Sequence, residues 1–127
     1  MWIAFNNAFV SVVQDKEDAS GKLLLVRARK RKHLQRVLGE AHKIVETPKA
    51  DYRWRARVSR DELSSILARH CQNLSYTNFK DSVREHDLHD MYTKWWLDHY
   101  DMQQRDLKRA PAQKETQHGV RRSPPET

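Results

Sequence analysis

The sequence predicts an α+β domain, one mainly antiparallel sheet with helices on one face, and three patterns predict it. Asp51 to Val58 alternates as a half-buried strand does, setting Tyr52, Trp54, Ala56 and Val58 apart from Arg53, Arg55 and Arg57. Ser59-Arg60-Asp61-Glu62 is a capping box, with Ser at the N-cap and Glu at the third helical position; Leu63, Ile66, Leu67 and His70 then follow along one side of a helix to about Gln72. From His86 to Leu107, Leu88, Tyr92, Trp95 and His99 recur at helical spacing with Met91 and Trp96 alongside, which predicts the longest helix.

The other elements follow from local chemistry. Trp2 to Phe5 and Ala8 to Val13 are short β runs separated by Asn6-Asn7, and Asn tolerates φ > 0, so the chain is expected to begin with a two-residue hairpin. After a polar stretch that ends at Gly21, Leu23-Leu24-Leu25-Val26-Arg27-Ala28 is strongly apolar but too short for a helix, and reads as a central strand. Arg29 to Leu38 carries Leu34, Val37 and Leu38 at helical spacing, with Gly39 placed to stop the helix. His42 to Glu46 is a weak strand ending before Thr47-Pro48, and Tyr76, Asn78 and Phe79 fall in a linker. The order β-β-β-α-β-β-α-α, written ββ-βαββα plus a long C-terminal helix, is partly ferredoxin-like.

The chain has 127 residues, enough for one core, and the reading is a single domain over 1–108 with a disordered basic tail over 109–127. That tail offers almost no apolar side chain to offset its ordering entropy. Lys and Arg total 24 against 17 Asp and Glu, a formal charge of +7, which attracts polyanions and equally keeps a small domain soluble. Cys71 is the sole cysteine, so no internal disulfide framework exists and a reducing, cytoplasmic setting is expected. The N-terminus lacks the basic start of a secretory signal, and no apolar run approaches the roughly 20 residues of a membrane span.

The stretches MWIAFNNAFVSVV, LLLVRARKRKHLQRVLGE and DYRWRARVSRDEL, and YTNFKDSV with HDLHDMYTKWW, resemble a family of short bacterial and mobile-element proteins without an assigned function. The resemblance spans roughly Met1 to Met102. It implies no activity, ligand or site residue, so functional expectations rest on the residues themselves.

Arginine on strands is the most suggestive feature. Alternation gathers Arg53, Arg55 and Arg57 on one sheet face, and Arg27 and Arg29 alternate in the same sense on the earlier strand. Lys30, Arg31, Lys32 and Arg36 extend the charge into the short helix. Such a face suits phosphates or another anionic partner; the competing reading is a solvated face paired with acidic residues from loops or the last helix. No nucleic-acid motif accompanies it, and Tyr52 and Trp54 fall on the apolar side.

His86, His89 and Asp90 form the densest set of metal-ligating residue types, but zinc enzymes space histidines four apart around a glutamate, and Asp87 is explained by the positive end of a helix. His70 and Cys71 are neighbours whose side chains diverge by about 100°, so Cys71 is expected as a small buried residue rather than a nucleophile. With three glycines in the chain and no phosphate loop or nucleophile elbow, neither cofactor nor enzyme is expected. Trp95 and Trp96 point about 100° apart, which makes Trp96 a candidate interface anchor if only one of them is buried. The expected function is an accessory binding protein docking on a protein or nucleoprotein partner through Arg27, Arg29, Arg31, Lys32, Arg53, Arg55, Arg57 and Trp96. Direct RNA or DNA binding is the alternative, and a metal enzyme using His86, His89 and Asp90 stands third.

Overall fold

A computed structural model describes residues 1–109 of the chain. The expected tail lies outside them except for Arg109, whose guanidinium pairs with Asp106 at 3.3 Å. The protein is α+β, with a five-stranded antiparallel sheet and a long last helix. Two compact units divide at His89, the second beginning at Asp90.

β1 (Trp2–Phe5) and β2 (Ala8–Gln14) form the expected hairpin, with Phe5 opposite Ala8 and Trp2 opposite Ser11. Neither Asn6 nor Asn7 uses a positive φ, because no non-glycine residue among those described does. The turn is therefore not of the type in which Asn supplies left-handed backbone; Arg36 anchors it instead, donating from Nη1 to the Asn7 carbonyl at 2.9 Å. The following loop is built on carboxylates. Asp18 accepts from the Ser20 hydroxyl at 2.7 Å and the Leu23 N–H at 2.8 Å, and Gly21, at φ 71°, supplies the left-handed step that leads into β3 (Leu23–Ala28).

α1 (Arg31–Leu38) stops at Gly39, whose φ of 85° needs glycine and whose N–H donates to the Gln35 carbonyl at 2.8 Å. β4 is only Val45–Glu46. Thr47 closes the turn after it, its hydroxyl donating toward the Tyr52 and Arg53 carbonyls at 3.0 and 3.1 Å. β5 (Trp54–Ser59) then enters between β3 and β4, antiparallel to both. The sheet order is β1-β2-β3-β5-β4, so β3 and β4 run in one direction with β5 between them.

Ser59 caps α2 (Arg60–Gln72) as expected, accepting the Glu62 N–H at 3.1 Å. The return half of the capping box is not made: Glu62 turns to the His42 ring at 2.8 Å, while Ser59 is committed to the β3 ladder opposite Leu23. A short helix that periodicity did not reveal, α3 (Phe79–Ser82), starts where the Asn78 side chain accepts the Asp81 N–H at 3.0 Å. α4 (His86–Leu107) follows. Among the described residues no helix is long and apolar enough to cross a membrane.

Both α1 and α2 cover the same sheet face. Ala8, Val10 and Val12 of β2, Val26 and Ala28 of β3, and Ala56 and Val58 of β5 form one buried cluster with Leu34, Val37 and Leu38 of α1 and Leu63 and Ile66 of α2. Alternation therefore leaves Ser11, Arg27, Arg55 and Arg57 on the other face. His33 is a buried residue of α1, its Nδ1 accepting the Phe9 N–H of β2 at 3.3 Å. Burial, above all, pushes its pKa below the usual imidazole value, so the ring is neutral.

Candidate functional site

The basic residues expected to act together fall into two sets with different chemistry. The first set lies along β5. Arg57 donates from Nε to Asp15 at 2.7 Å and lies 3.7 Å from Glu17, both carboxylates belonging to the β2–β3 loop. The Asp15 carboxylate is almost wholly buried, and the Arg57 hydrogen bond, followed by the Glu17 N–H, holds its pKa below the ordinary value. Arg55 reaches Asp51 at 3.6 Å, and Arg53 pairs with Glu46 of β4 at 2.7 Å. Arg53 precedes β5, so it is not part of the strand's alternation. Arg53, Arg55 and Arg57 thus each face a carboxylate.

The second set gathers where β3 ends at Ala28 opposite Trp54, beside Arg53 and Arg55 of the first, and α1 begins three residues later. Tyr52 is buried there with the Arg27 guanidinium 4.6 Å and the Arg29 guanidinium 4.3 Å from its ring centre. Arg27 also donates to the Ser11 hydroxyl at 2.8 Å. Arg31 stands 5.6 Å from the ring of the half-buried Trp54. Arg29 and Arg31 are exposed, and among the described residues neither forms an ion pair. Aromatic faces hold both guanidinium groups without cancelling their charge.

This arrangement corrects the placement of Tyr52. Read from alternation it belongs with Trp54 on the apolar face, but residues 51 and 52 form a bend before β5, where strand period no longer governs side-chain direction. Its ring lies against arginines rather than in the apolar cluster.

Basic residues within α1 are partly neutralised. Lys32 and Arg36 converge on Glu85 at 3.3 and 2.5 Å, and Lys30 reaches Asp87 at 3.2 Å. The Arg36 hydrogen bond, foremost, keeps Glu85 below the usual carboxylate pKa. α1 has no acidic residue in its first turn and no side-chain cap on Lys30, so the positive helix end adds to the potential around Arg29 and Arg31.

The other candidates separate as follows. His86, His89 and Asp90 do not form a metal site, since no group of three His, Cys, Asp or Glu side chains among the described residues could hold an ion. The spacing of three leaves Asp87 turned to Lys30 instead. Cys71 is exposed rather than buried, and His70 is engaged with the fold: its Nε2 donates to the Val37 carbonyl at 3.1 Å and its ring lies 4.7 Å from Phe5. The two tryptophans diverge as their spacing requires, with Trp95 half-buried and Trp96 49% exposed. Trp96 stacks on Tyr100 at 5.5 Å.

Sequence reasoning missed Tyr52 as the platform for Arg27 and Arg29. The one available signal was Asp51-Tyr52 directly after Ala50 and Lys49, a polar stretch better suited to a turn than to a strand. No family model, curated protein or solved structure matches the chain.

Proposed function

We propose that the protein is a non-enzymatic, cytoplasmic accessory binding protein that docks on an anionic surface of a protein or nucleoprotein partner through the corner formed by Arg29 and Arg31. One observation carries the reading. These two guanidinium groups are exposed on Tyr52 and Trp54 without a carboxylate, whereas Arg53, Arg55 and Arg57 are each paired within the fold. Charge already paired internally must be unpaired before it binds a partner, so the corner is the cheaper contact. Lys32 and Arg27 border it as supporting residues, one shared with Glu85 and the other with Ser11. Within this reading β3-α1-β4-β5-α2 is a ferredoxin-like split unit to which β1 and β2 are added, a scaffold presenting the β3–α1 junction at one end of the sheet.

Direct RNA or DNA binding is the second reading, favoured by the partly exposed Trp54 ring beside Arg31, where a base could stack. A pull-down from the native host with and without nuclease separates the two. The first reading expects a protein retained after nuclease by the wild type and by the Arg53→Gln, Arg55→Gln, Arg57→Gln triple variant, and lost by Arg29→Gln with Arg31→Gln. Retention by the double variant would remove the corner from the site. Loss of all retained material with nuclease, together with a log-affinity against log-salt slope that falls by about one unit per arginine removed, favours direct phosphate contact.

A further inference from the structure

More than half of the large apolar side chains exposed among the described residues lie on α4: Met91, Trp96, Leu97, Tyr100, Met102 and Leu107. At about 100° per residue, Trp96, Tyr100, Gln103 and Leu107 fall within an arc of about 60°, spaced four, three and four apart. That arc is roughly a quarter turn from the stripe in which Leu88 and Tyr92 are buried. Lys94, Asp98, Asp101 and Arg105 occupy the far side. The helix thus carries a second apolar seam, with Trp96 and Tyr100 stacked at 12° as its widest part.

We propose that this seam is a dimer interface, occupied by α4 of a second copy of the chain running antiparallel. The sequence of the seam is self-complementary in that direction. A two-fold axis between Asp101 and Met102 sets Trp96 against Leu107 of the second copy and Tyr100 against Gln103, each contact made twice, as an isologous interface requires. On the flanks His99 meets Asp106 and Leu97 meets Gln104, so no like charges face each other. A parallel pairing would instead stack Trp96 on Trp96, leave His99 beside Gln104, and align the two helix dipoles unfavourably. The aromatic seam supplies large contact area from few rotatable bonds.

Sedimentation of the full chain, with reductant present so that exposed Cys71 cannot cross-link, tests the proposal. The wild type is expected to be a dimer at about 200 μM that dissociates on dilution, as a small interface does. Trp96→Lys and Leu107→Glu should each be monomeric with the wild-type circular dichroism spectrum. Mixed in equal amounts they should recover a heterodimer, because antiparallel pairing brings the new Lys against the new Glu in one layer and restores Trp96 on Leu107 in the other. A wild type that stays monomeric at that concentration overturns the proposal, and so does a mixture that stays monomeric while the wild type dimerises. Arg29→Gln with Arg31→Gln should leave the dimer intact, which keeps this result separate from partner docking.

Discussion

The arginines along β5 and those beside the start of α1 are neighbours on one ladder, Arg27 directly opposite Arg55, yet they use their charge differently. Arg57 is held by a buried carboxylate at 2.7 Å, and Arg53 by a glutamate at the same distance. Arg29 and Arg31 rest on rings at 4.3 and 5.6 Å. A carboxylate fixes a guanidinium and cancels its charge; an aromatic face fixes it and leaves the charge outward. Identical side chains, alternating in one sequence pattern, therefore divide into support for the fold and a surface for something else. Spacing alone could not separate them.

The largest expected effect comes from removing the platform. Tyr52→Ala should cost about 3 to 5 kcal/mol in chemical denaturation, the range for deleting a large buried aromatic, and should release Arg27 and Arg29 together. A cost below about 1 kcal/mol would show that the ring is not part of the packed structure. The next test concerns the carboxylate-paired set. Because the Asp15 carboxyl has a folded-state pKa below its unfolded value, its contribution is complete above the unfolded value of 3.8 and is lost as pH falls through the lower, folded one. Asp15→Asn should lower the melting temperature at neutral pH and flatten its decline below about pH 4. An acid limb as steep as that of the wild type would mean that other groups carry it.

Smaller effects sharpen the contrast. Arg53→Gln, at an exposed pair with Glu46, should change stability by no more than about 1 kcal/mol and leave partner binding unaltered. Arg31→Gln should change stability by only about 0.5 to 1 kcal/mol, the contribution of an exposed cation–π contact, yet weaken the partner complex severalfold. If Arg53→Gln weakened binding as much as Arg31→Gln, the division between carboxylate-paired and ring-supported arginines would fail.

Much of the scaffold was legible because its causes are local. The Ser59 cap, the Gly39 stop, the β5 alternation and the extent of α4 each depend on residues within a turn or two of one another. The division of the arginines was not, because Asp15 is 42 residues from Arg57 and only the antiparallel closure of β2, β3 and β5 brings them together. Cys71 was misplaced for a related reason: Ile66 is buried, but the last turn of α2 after Leu67 lies outside the apolar cluster, which periodicity cannot reveal. A four-residue helix such as α3 is too short to show any period, and only Asn78 followed three residues later by Asp81 hints at its start.

The insertion of β5 between β3 and β4 also bears on how the chain reaches this structure during synthesis. β1, β2 and β3 pair with sequence neighbours and can assemble as a meander, but one whole edge of β3, from Leu23 to Ala28, waits for Trp54–Ser59. Until that segment arrives, Leu24, Val26 and Ala28 belong to an open apolar edge, the kind of surface that recruits foreign strands. Closure then requires the 25 residues between Ala28 and Trp54 to be ordered, which raises contact order and slows folding relative to the hairpin. A chain stalled or cleaved before Trp54 should aggregate, whereas one ending after α2 should stay in solution, placing the hazard of this fold in a brief interval of its synthesis.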